Sequence, residues 1–183
     1  MLTLLACGGE DGKAAVRGLL REGLARVYGL EEIPAMDRGS RGKPFFPDFP
    51  HIHFNLSHSG GLALCALSDG EVGVDIELVG PRDPRLPRRV FSEEEYRWYA
   101  AHGGDWGAFC SLWTRKESWC KQAGTGIFNP RSVLPPLPGE RHETLAVHSF
   151  AGDRWRAAVC AEHGEAPKIL WLGVTKKEFD PIS

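Results

Sequence analysis

The chain has 183 residues and a mass of 20.2 kDa, the size of one domain or of two small halves that share a core. Its 22 Lys and Arg residues against 24 Asp and Glu residues give a formal charge of −2, so a basic surface for nucleic acid is not expected. No apolar run approaches the ~20 residues that a membrane-spanning helix needs, so no membrane span is expected.

The composition also indicates the kind of fold and the compartment. The 22 Gly and 13 Pro residues favour many turns and short elements over a helical bundle. The five cysteines are odd in number and scattered, and no two of them form a Cys-x-x-Cys motif. This usage is typical of a protein kept in a reducing cytoplasm.

The first third of the chain predicts a strand, a helix and a long loop. Residues 1–8 have the apolar character of a first β-strand. Residues 12–28 place Val16, Leu20 and Leu24 at helical spacing, which predicts an amphipathic helix. Residues 31–51 are rich in Pro and Gly and are predicted to form a loop.

Two apolar runs follow, over 62–68 and 71–79, and an Asp-Gly pair separates them. Asp-Gly between two apolar runs predicts a β-hairpin. Because side chains alternate along a strand, Asp75 and Glu77 should project from one face of the second run. Gly73 shares that face and leaves room beside the two carboxylates.

The rest of the chain predicts two helices and further strands. Ser92 and Glu95 have the spacing of a capping box at the start of a helix. The remaining predicted elements are, in chain order, a Pro- and Arg-rich loop over 81–90, a helix over 93–102, a helix from the N-cap Asp105 to about Gln122, a hairpin of strands over 145–150 and 155–161, and a last strand over 168–174.

Three acidic residues could hold a cation. Two carboxylates on one strand face, Asp75 and Glu77, repel each other unless they are hydrogen-bonded, protonated or bound to a cation. Together with Glu117 they would offer the all-oxygen ligands that Mg²⁺ prefers. The alternative for the Asp-x-Glu pattern taken alone is a solvated acidic strand face.

Basic residues that could meet phosphate lie in three other segments. Lys116 and Lys121 flank Glu117 on the predicted long helix, although Glu117 and Lys121 also have the spacing of an ordinary surface ion pair. Ser57 and His58 lie in a Ser-, His- and Gly-rich segment that could bind an anion. Lys43 lies in a basic turn for which solvated surface is the alternative.

The order of these segments is more specific than any one of them. The segments are Gly42-Lys43-Pro44, Phe54-Asn-Leu-Ser57-His58-Ser59, Gly73-Val-Asp75-Ile-Glu77, Phe91-Ser-x-x-Glu95 and Trp113-Thr-Arg-Lys116-Glu117-Ser-x-x-Lys121. In this order the chain resembles the Sfp-type 4′-phosphopantetheinyl transferases, and the likeness spans roughly residues 12–161.

The resemblance implies an α+β fold of two similar halves, each a small antiparallel sheet with packed helices, with the active site between them. The first half would span 1–70 and bind the 3′-phosphate of coenzyme A. It is expected to be shorter than in the family, with Lys13 or Arg17 in place of the usual basic contacts. The second half would span 71–183 and hold the metal and catalytic site.

The resemblance also implies the reaction. Such enzymes move the phosphopantetheine arm of coenzyme A onto a serine of an apo acyl or peptidyl carrier protein and release 3′,5′-ADP. Mg²⁺ would be held by Asp75, Glu77 and Glu117, and Glu117 would also take the serine proton. Lys121 would stabilise the charge on the departing ADP. The chain is expected to act as a cytoplasmic monomer.

The resemblance assigns the remaining basic residues to coenzyme A. Lys43 and His58 would bind the 3′-phosphate, with Ser57 as a neighbouring contact. Lys116 would face the pyrophosphate together with Lys121.

Further assignments leave alternatives open. The family has an acid where Glu95 stands, and the capping box is the structural explanation that we favour for it. The arginines over 82–89 could dock an acidic carrier, or form a solvated loop. Two other functions compete with transfer: a degenerate module that binds coenzyme A or a carrier without reacting, and a Mg²⁺-dependent phosphohydrolase.

Overall fold

A computed structural model describes residues 1–9, 11–162 and 164–173. Its elements, in chain order, are β1 (Leu2–Gly8), α1 (Gly12–Tyr28), β2 (Asp37–Arg38), β3 (Pro44–Phe45), β4 (His53–Ser59), β5 (Leu62–Ser68), β6 (Gly73–Leu78), α2 (Leu86–Val90), α3 (Glu93–Ala101), α4 (Trp106–Ala123), β7 (Leu145–Gly152), β8 (Trp155–Glu162) and β9 (Ile169–Trp171), with one 3₁₀ turn at Pro130–Ser132. This mixed composition confirms the predicted α+β class. Among the described residues, no helix is long and apolar enough to cross a membrane.

The first sheet has the strand order β4-β5-β1-β9 and is covered on one face by α1. Asp11 caps α1 through hydrogen bonds from the backbone N–H groups of Lys13 and Ala14, and Gly29 ends the helix, so the helix predicted over 12–28 is confirmed. The apolar side of α1 packs on alternate residues of the sheet such as Cys65 and Leu67.

The second sheet has the order β6-β8-β7, and α4 packs on β6 and β8. Its β7–β8 pair confirms the hairpin predicted near the C-terminus. The other face of this sheet packs against the first sheet. Val74, Ile76 and Val159 from the second sheet and Leu4 and Leu64 from the first belong to one buried cluster. The two sheets therefore form a sandwich with a shared apolar core.

The hairpin predicted between residues 62–68 and 71–79 is wrong. β5 pairs with β4 and β1, whereas β6 pairs with β8 in the other sheet. All seven residues of β5 are buried, because this strand lies in the middle of its sheet and is covered on both faces. The Asp-Gly pair therefore links the two sheets. The true turn lies between β4 and β5, at Gly60 and Gly61, both of which have positive φ.

Other differences from the predicted elements are smaller. The loop predicted over 81–90 contains the five-residue helix α2, and the loop over 31–51 contains the short β2–β3 pair. The last predicted strand, over 168–174, is seen as β9, and Val174 lies outside the described residues. β9 joins the first sheet beside β1, so a strand from the predicted second half completes the sheet of the first.

Candidate active site

The two acids of β6 lie where the two sheets meet. As predicted, Val74 and Ile76 point into the shared core while Asp75 points the other way. One carboxylate oxygen of Asp75, Oδ1, accepts a hydrogen bond from Ser57 Oγ at 2.8 Å and pairs with Lys121 Nζ at 2.7 Å. The other oxygen, Oδ2, is buried and has no hydrogen-bond partner among the described residues.

The surroundings of Asp75 change its protonation. The side chain is only 5% exposed, and this burial raises the pKa of Asp75 to about 6. The positive charge of Lys121 and the hydrogen bond from Ser57 act in the opposite direction, and the nearby charge of Glu77 raises the pKa further. Because burial disfavours the charged form of Asp75, a cation beside the carboxylate would offset that cost and bind favourably.

α4 brings the remaining predicted groups to Asp75. The helix passes directly over Gly73, where an added Cβ would lie 2.1 Å from the Ser118 carbonyl oxygen. This close approach places Lys121 on Asp75 and leaves Glu117 half-buried nearby, with burial raising the pKa of Glu117. Lys121 lowers and Glu77 raises that same pKa, so both charges act on the Glu117 carboxylate.

Glu77 lies two residues along the same face and has its own partners. Its Oε2 accepts hydrogen bonds from Ser59 Oγ at 3.0 Å and from Arg82 Nη2 at 2.8 Å. Arg82 also donates to the carbonyl of Leu78 and lies over the ring of Phe109. The sequence predicts a docking or solvated loop around Arg82, and the structure instead brings this arginine to an acid of the site.

Lys116 does not lie in this group. Its side chain is fully buried, and its ammonium donates to Glu95 Oε1 and to the carbonyl oxygen of Val133. Glu95 meanwhile accepts from the backbone N–H of Ser92, which confirms the predicted capping box. Lys116 is therefore part of the packing between α4 and α3, and the structure does not place it on the same side of α4 as Lys121.

Comparison with known proteins identifies the family. The family model of the 4′-phosphopantetheinyl transferase superfamily matches residues 71–169, which include β6, α3, α4 and β8. The chain belongs to this superfamily. Its members with sequences similar to this one include two proteins from Bacillus subtilis and one from Salmonella typhi, and all three are called 4′-phosphopantetheinyl transferases.

The similarity to these transferases covers most of the chain. One of the Bacillus subtilis proteins is 34% identical over 84% of this chain and 76% of its own length. The other, called Sfp, is 32% identical over 89% of this chain and 80% of its own length. The Salmonella typhi protein, AcpT, is 40% identical over 72% of this chain and 69% of its own length. The resemblance drawn from the motifs is confirmed.

Lys43 and His58, which are expected to bind the 3′-phosphate of coenzyme A, lie apart in this transferase. Lys43 Nζ donates to Glu71 Oε2 at 2.5 Å and to the Gln122 carbonyl at 2.8 Å, and Glu71 also pairs with His53 at the start of β4. His58 lies five residues further along β4, exposed and beside Gly12 at the start of α1. The structure does not bring Lys43 and His58 together.

Ser57 and His58 differ in direction because they are neighbours on a strand. Ser57 points towards β6 and contacts Asp75, whereas His58 points to the opposite face of β4, towards α1. Ser57 is thus engaged with the acids rather than set beside His58. The sequence motif that contains both residues serves two sides of the sheet.

The three acids are of the right chemical type to bind a divalent cation, but their arrangement in the structure is not that of a ready metal site. Three carboxylates are the ligand type of Mg²⁺, and the unpartnered Oδ2 of Asp75 is a buried oxygen that a cation would satisfy. Within the described part of the chain, however, no three acidic, His or Cys side chains converge closely enough to form a preassembled metal site. Lys121 and Arg82 are the cations that neutralise Asp75 and Glu77 in this structure.

Proposed function

We propose that this chain transfers the 4′-phosphopantetheine group of coenzyme A to a serine of an apo acyl or peptidyl carrier protein and releases 3′,5′-ADP. Membership of the transferase superfamily supports the reaction type. The observation that carries the proposal is the buried Asp75 carboxylate, which has one oxygen on Lys121 and the other without a partner among the described residues. A site built this way suits the charged pyrophosphate of coenzyme A and a metal ion.

Glu117 is the general base of this proposal. A serine hydroxyl is a poor nucleophile at neutral pH and must lose its proton as it attacks. Burial raises the pKa of Glu117, which makes it a better proton acceptor than an exposed carboxylate. The serine oxygen bonds to the β-phosphorus, its proton passes to Glu117, and the bond from that phosphorus to the ADP oxygen breaks.

Lys121 stabilises the charge that the departing ADP acquires. The Lys121 side chain is less than one-third exposed, and its ammonium contacts both Ser57 Oγ and Asp75 Oδ1, so it is held at the edge of the site by two contacts. A fixed positive charge near a developing negative charge lowers the barrier because it needs no reorganisation at the moment of reaction.

Asp75, Glu77 and Glu117 are the residues that would hold Mg²⁺. When bound, the ion would supply neutralising charge to the phosphoryl oxygens. Lys121 holds Asp75 Oδ1 and Arg82 holds Glu77 Oε2 in the structure, so a bound ion would compete with them for those two oxygens. Asp75 Oδ2 has no hydrogen-bond partner among the described residues and would be available without such competition.

The remaining contacts with coenzyme A and the carrier are assigned by the resemblance. Lys43 and His58 are proposed to meet the 3′-phosphate, which requires a rearrangement because the structure places them at different ends of β4. Arg88 stacks on Tyr96 and Arg85 pairs with Asp83, so the loop around α2 offers partly neutralised guanidinium groups to an acidic carrier. Lys116 has no place in this site.

The compartment and the oligomeric state are part of the same proposal. The five cysteines are free thiols, and four of them are buried, which supports a reducing cytoplasm. One chain supplies the residues of both sheets that surround Asp75, which supports a monomer that works alone.

The experiment measures the mass of a carrier. The protein is incubated with coenzyme A, Mg²⁺ and an apo carrier protein, and the carrier is weighed by intact-mass spectrometry. We expect a mass gain of one phosphopantetheine group that disappears with Asp75→Ala. Bound coenzyme A with no gain on any of several carriers would support a non-catalytic module, and cleavage of coenzyme A without a carrier would support a phosphohydrolase.

A further inference from the structure

β6 is an edge strand of its sheet, and its free edge lies against the face of β4. Edge strands present backbone N–H groups that need partners. Here three side chains of β4 supply them. Val74 N donates to Asn55 Oδ1 at 2.9 Å, Ile76 N to Ser57 Oγ at 3.3 Å, and Leu78 N to Ser59 Oγ at 3.2 Å.

The two serines of this ladder also reach the acids. Ser57 Oγ donates to Asp75 Oδ1 at 2.8 Å, and Ser59 Oγ donates to Glu77 Oε2 at 3.0 Å. Each hydroxyl therefore accepts from one backbone N–H of β6 and donates to the carboxylate of the residue before it. A hydroxyl has one hydrogen to donate, and each of these serines donates it to an acid.

We propose that Ser59 is a positioning residue for Glu77, and that β4 acts as a template that sets the orientation of both acids of β6. The repeat of two residues along β4 matches the repeat of two along β6, so that one serine serves each acid. This inference rests on the proposed function in one respect, namely that these acids hold a metal ion.

Competition for Glu77 explains why Ser59 matters. Arg82 binds the same oxygen, Oε2, and it also holds the carbonyls of Leu78 and Gly80. Without Ser59, Arg82 is the only described partner that orients the Glu77 carboxylate, and it ties that group to the segment after β6 instead of to β4. Groups that orient metal ligands typically change metal affinity by ~10- to 100-fold when they are removed.

Ser59→Ala and the matched control Ser68→Ala test the proposal. Ser68 lies on β5 of the same sheet, and its hydroxyl also accepts a backbone N–H, from Gly70 at 3.2 Å. In the described part of the chain it has no hydrogen bond to an acid of the site. Mn²⁺ alone serves as the probe, and its binding is followed by electron paramagnetic resonance without substrate. The exchange rate of the Leu78 amide hydrogen and the thermal unfolding midpoint are measured on the same samples.

We expect Ser59→Ala to weaken Mn²⁺ binding by ~10-fold or more and to speed exchange of the Leu78 amide. Ser68→Ala should leave both unchanged, and Ser59→Thr, which keeps the hydroxyl, should restore Mn²⁺ binding. Faster exchange at Leu78 with normal Mn²⁺ binding would overturn the proposal, because Ser59 would then only support the strand. Equal weakening by Ser68→Ala would also overturn it.

The outcomes separate this inference from the proposed function. A wild-type protein that binds Mn²⁺ but gives no carrier mass gain overturns the transferase activity and leaves the role of Ser59 intact. A wild-type protein that modifies the carrier while Ser59→Ala binds Mn²⁺ normally overturns the role of Ser59 alone. A wild-type protein that binds no Mn²⁺ overturns the metal assignment and this inference together.

Discussion

Lys116 and Lys121 lie five residues apart on α4, and the resemblance to the transferase family implies that both face the pyrophosphate. Lys116 is fully buried and paired with Glu95, whereas Lys121 is partly exposed and paired with Asp75. Five residues turn an α-helix through about 140° beyond one full turn, so the two side chains leave the helix in different directions. We therefore propose that one motif serves two purposes: Lys116 supports the pair of helices α3 and α4, and Lys121 takes part in the chemistry.

The surroundings of the two lysines differ in the same sense. Burial lowers the pKa of Lys116, and its neighbour Glu95 raises it, as is usual for a buried structural ion pair. Lys121 instead contacts two polar groups at the meeting point of the two sheets. Neither the residue type nor the position in the motif shows which of these roles a lysine has. The face of α4 from which the side chain projects determines the role.

Of the residues near Lys121, Glu117 is the one whose replacement should have the largest effect on the rate of carrier modification. It follows Lys116 in the sequence but lies one helical turn before Lys121, and its pKa responds to the charge of Lys121. We expect Glu117→Gln to lower the single-turnover rate of carrier modification by ~10²- to 10⁴-fold, the range for loss of a general base. The unfolding midpoint should change little, and a normal rate in this variant would remove Glu117 from the mechanism.

Lys116→Ala is expected to cause the largest loss of stability. Removal of one partner of a buried ion pair leaves an uncompensated charge on Glu95 and typically costs ~3–5 kcal/mol of unfolding free energy. Urea titration at neutral pH measures this loss.

A double variant, Lys116→Met with Glu95→Gln, serves as the control. The glutamine side chain would keep an oxygen for the backbone N–H of Ser92 while removing the buried charge. We expect the double variant to recover most of the lost stability, since replacing both buried charges is often close to neutral. No recovery would mean that Lys116 stabilises the fold by a route other than its pairing with Glu95.

Asp75 gives a smaller effect that depends on pH. Its pKa is raised to about 6 in the folded protein, above the ~3.9 of an exposed aspartate. Between these values the folded state binds more protons than the unfolded state, so stability falls as pH rises through this window. The full change is ~3 kcal/mol at 1.36 kcal/mol per pKa unit.

Urea titrations in the presence of a chelator at pH 4.5 and pH 7 measure about two-thirds of this change, ~2 kcal/mol, because the unfolded carboxyl is already mostly ionised at pH 4.5. Asp75→Asn should lose this part of the pH dependence, because the amide does not titrate in this range. Equal pH dependence in the two proteins would place the titrating group elsewhere in the molecule.

Much of the fold and of the acid site follows from local patterns in the sequence. The helix α1 carries its own cap and its apolar spacing, and β6 shows its two faces by simple alternation. The capping box at Ser92 and the hairpin of β7 and β8 also follow from short-range signals. These features depend on residues that are close together in the chain, so one sequence suffices to find them.

The features that the sequence alone does not predict depend on distant residues. The Asp-Gly pair after β5 resembles a hairpin turn, but β5 pairs with β1 and β4 instead of β6. Its two faces are covered by α1 and by the second sheet, and its own residues do not reveal these distant partners. The pairing of Lys116 with Glu95 joins two helices, and the contact of Ser59 with Glu77 joins two sheets. One signal for the contact of Ser59 with Glu77 was present in the sequence: serines at alternate positions of β4 match acids at alternate positions of β6.

The most direct test of the division between the two lysines is a side-by-side measurement of Lys121→Met and Lys116→Met. Single-turnover carrier modification is followed by intact mass, at a temperature where both variants are folded by circular dichroism. We expect a ~10²- to 10³-fold slower rate for Lys121→Met, the range for loss of a group that stabilises transition-state charge, and a nearly wild-type rate for folded Lys116→Met. Equal losses in both variants, or a normal rate with Lys121→Met, would contradict this division.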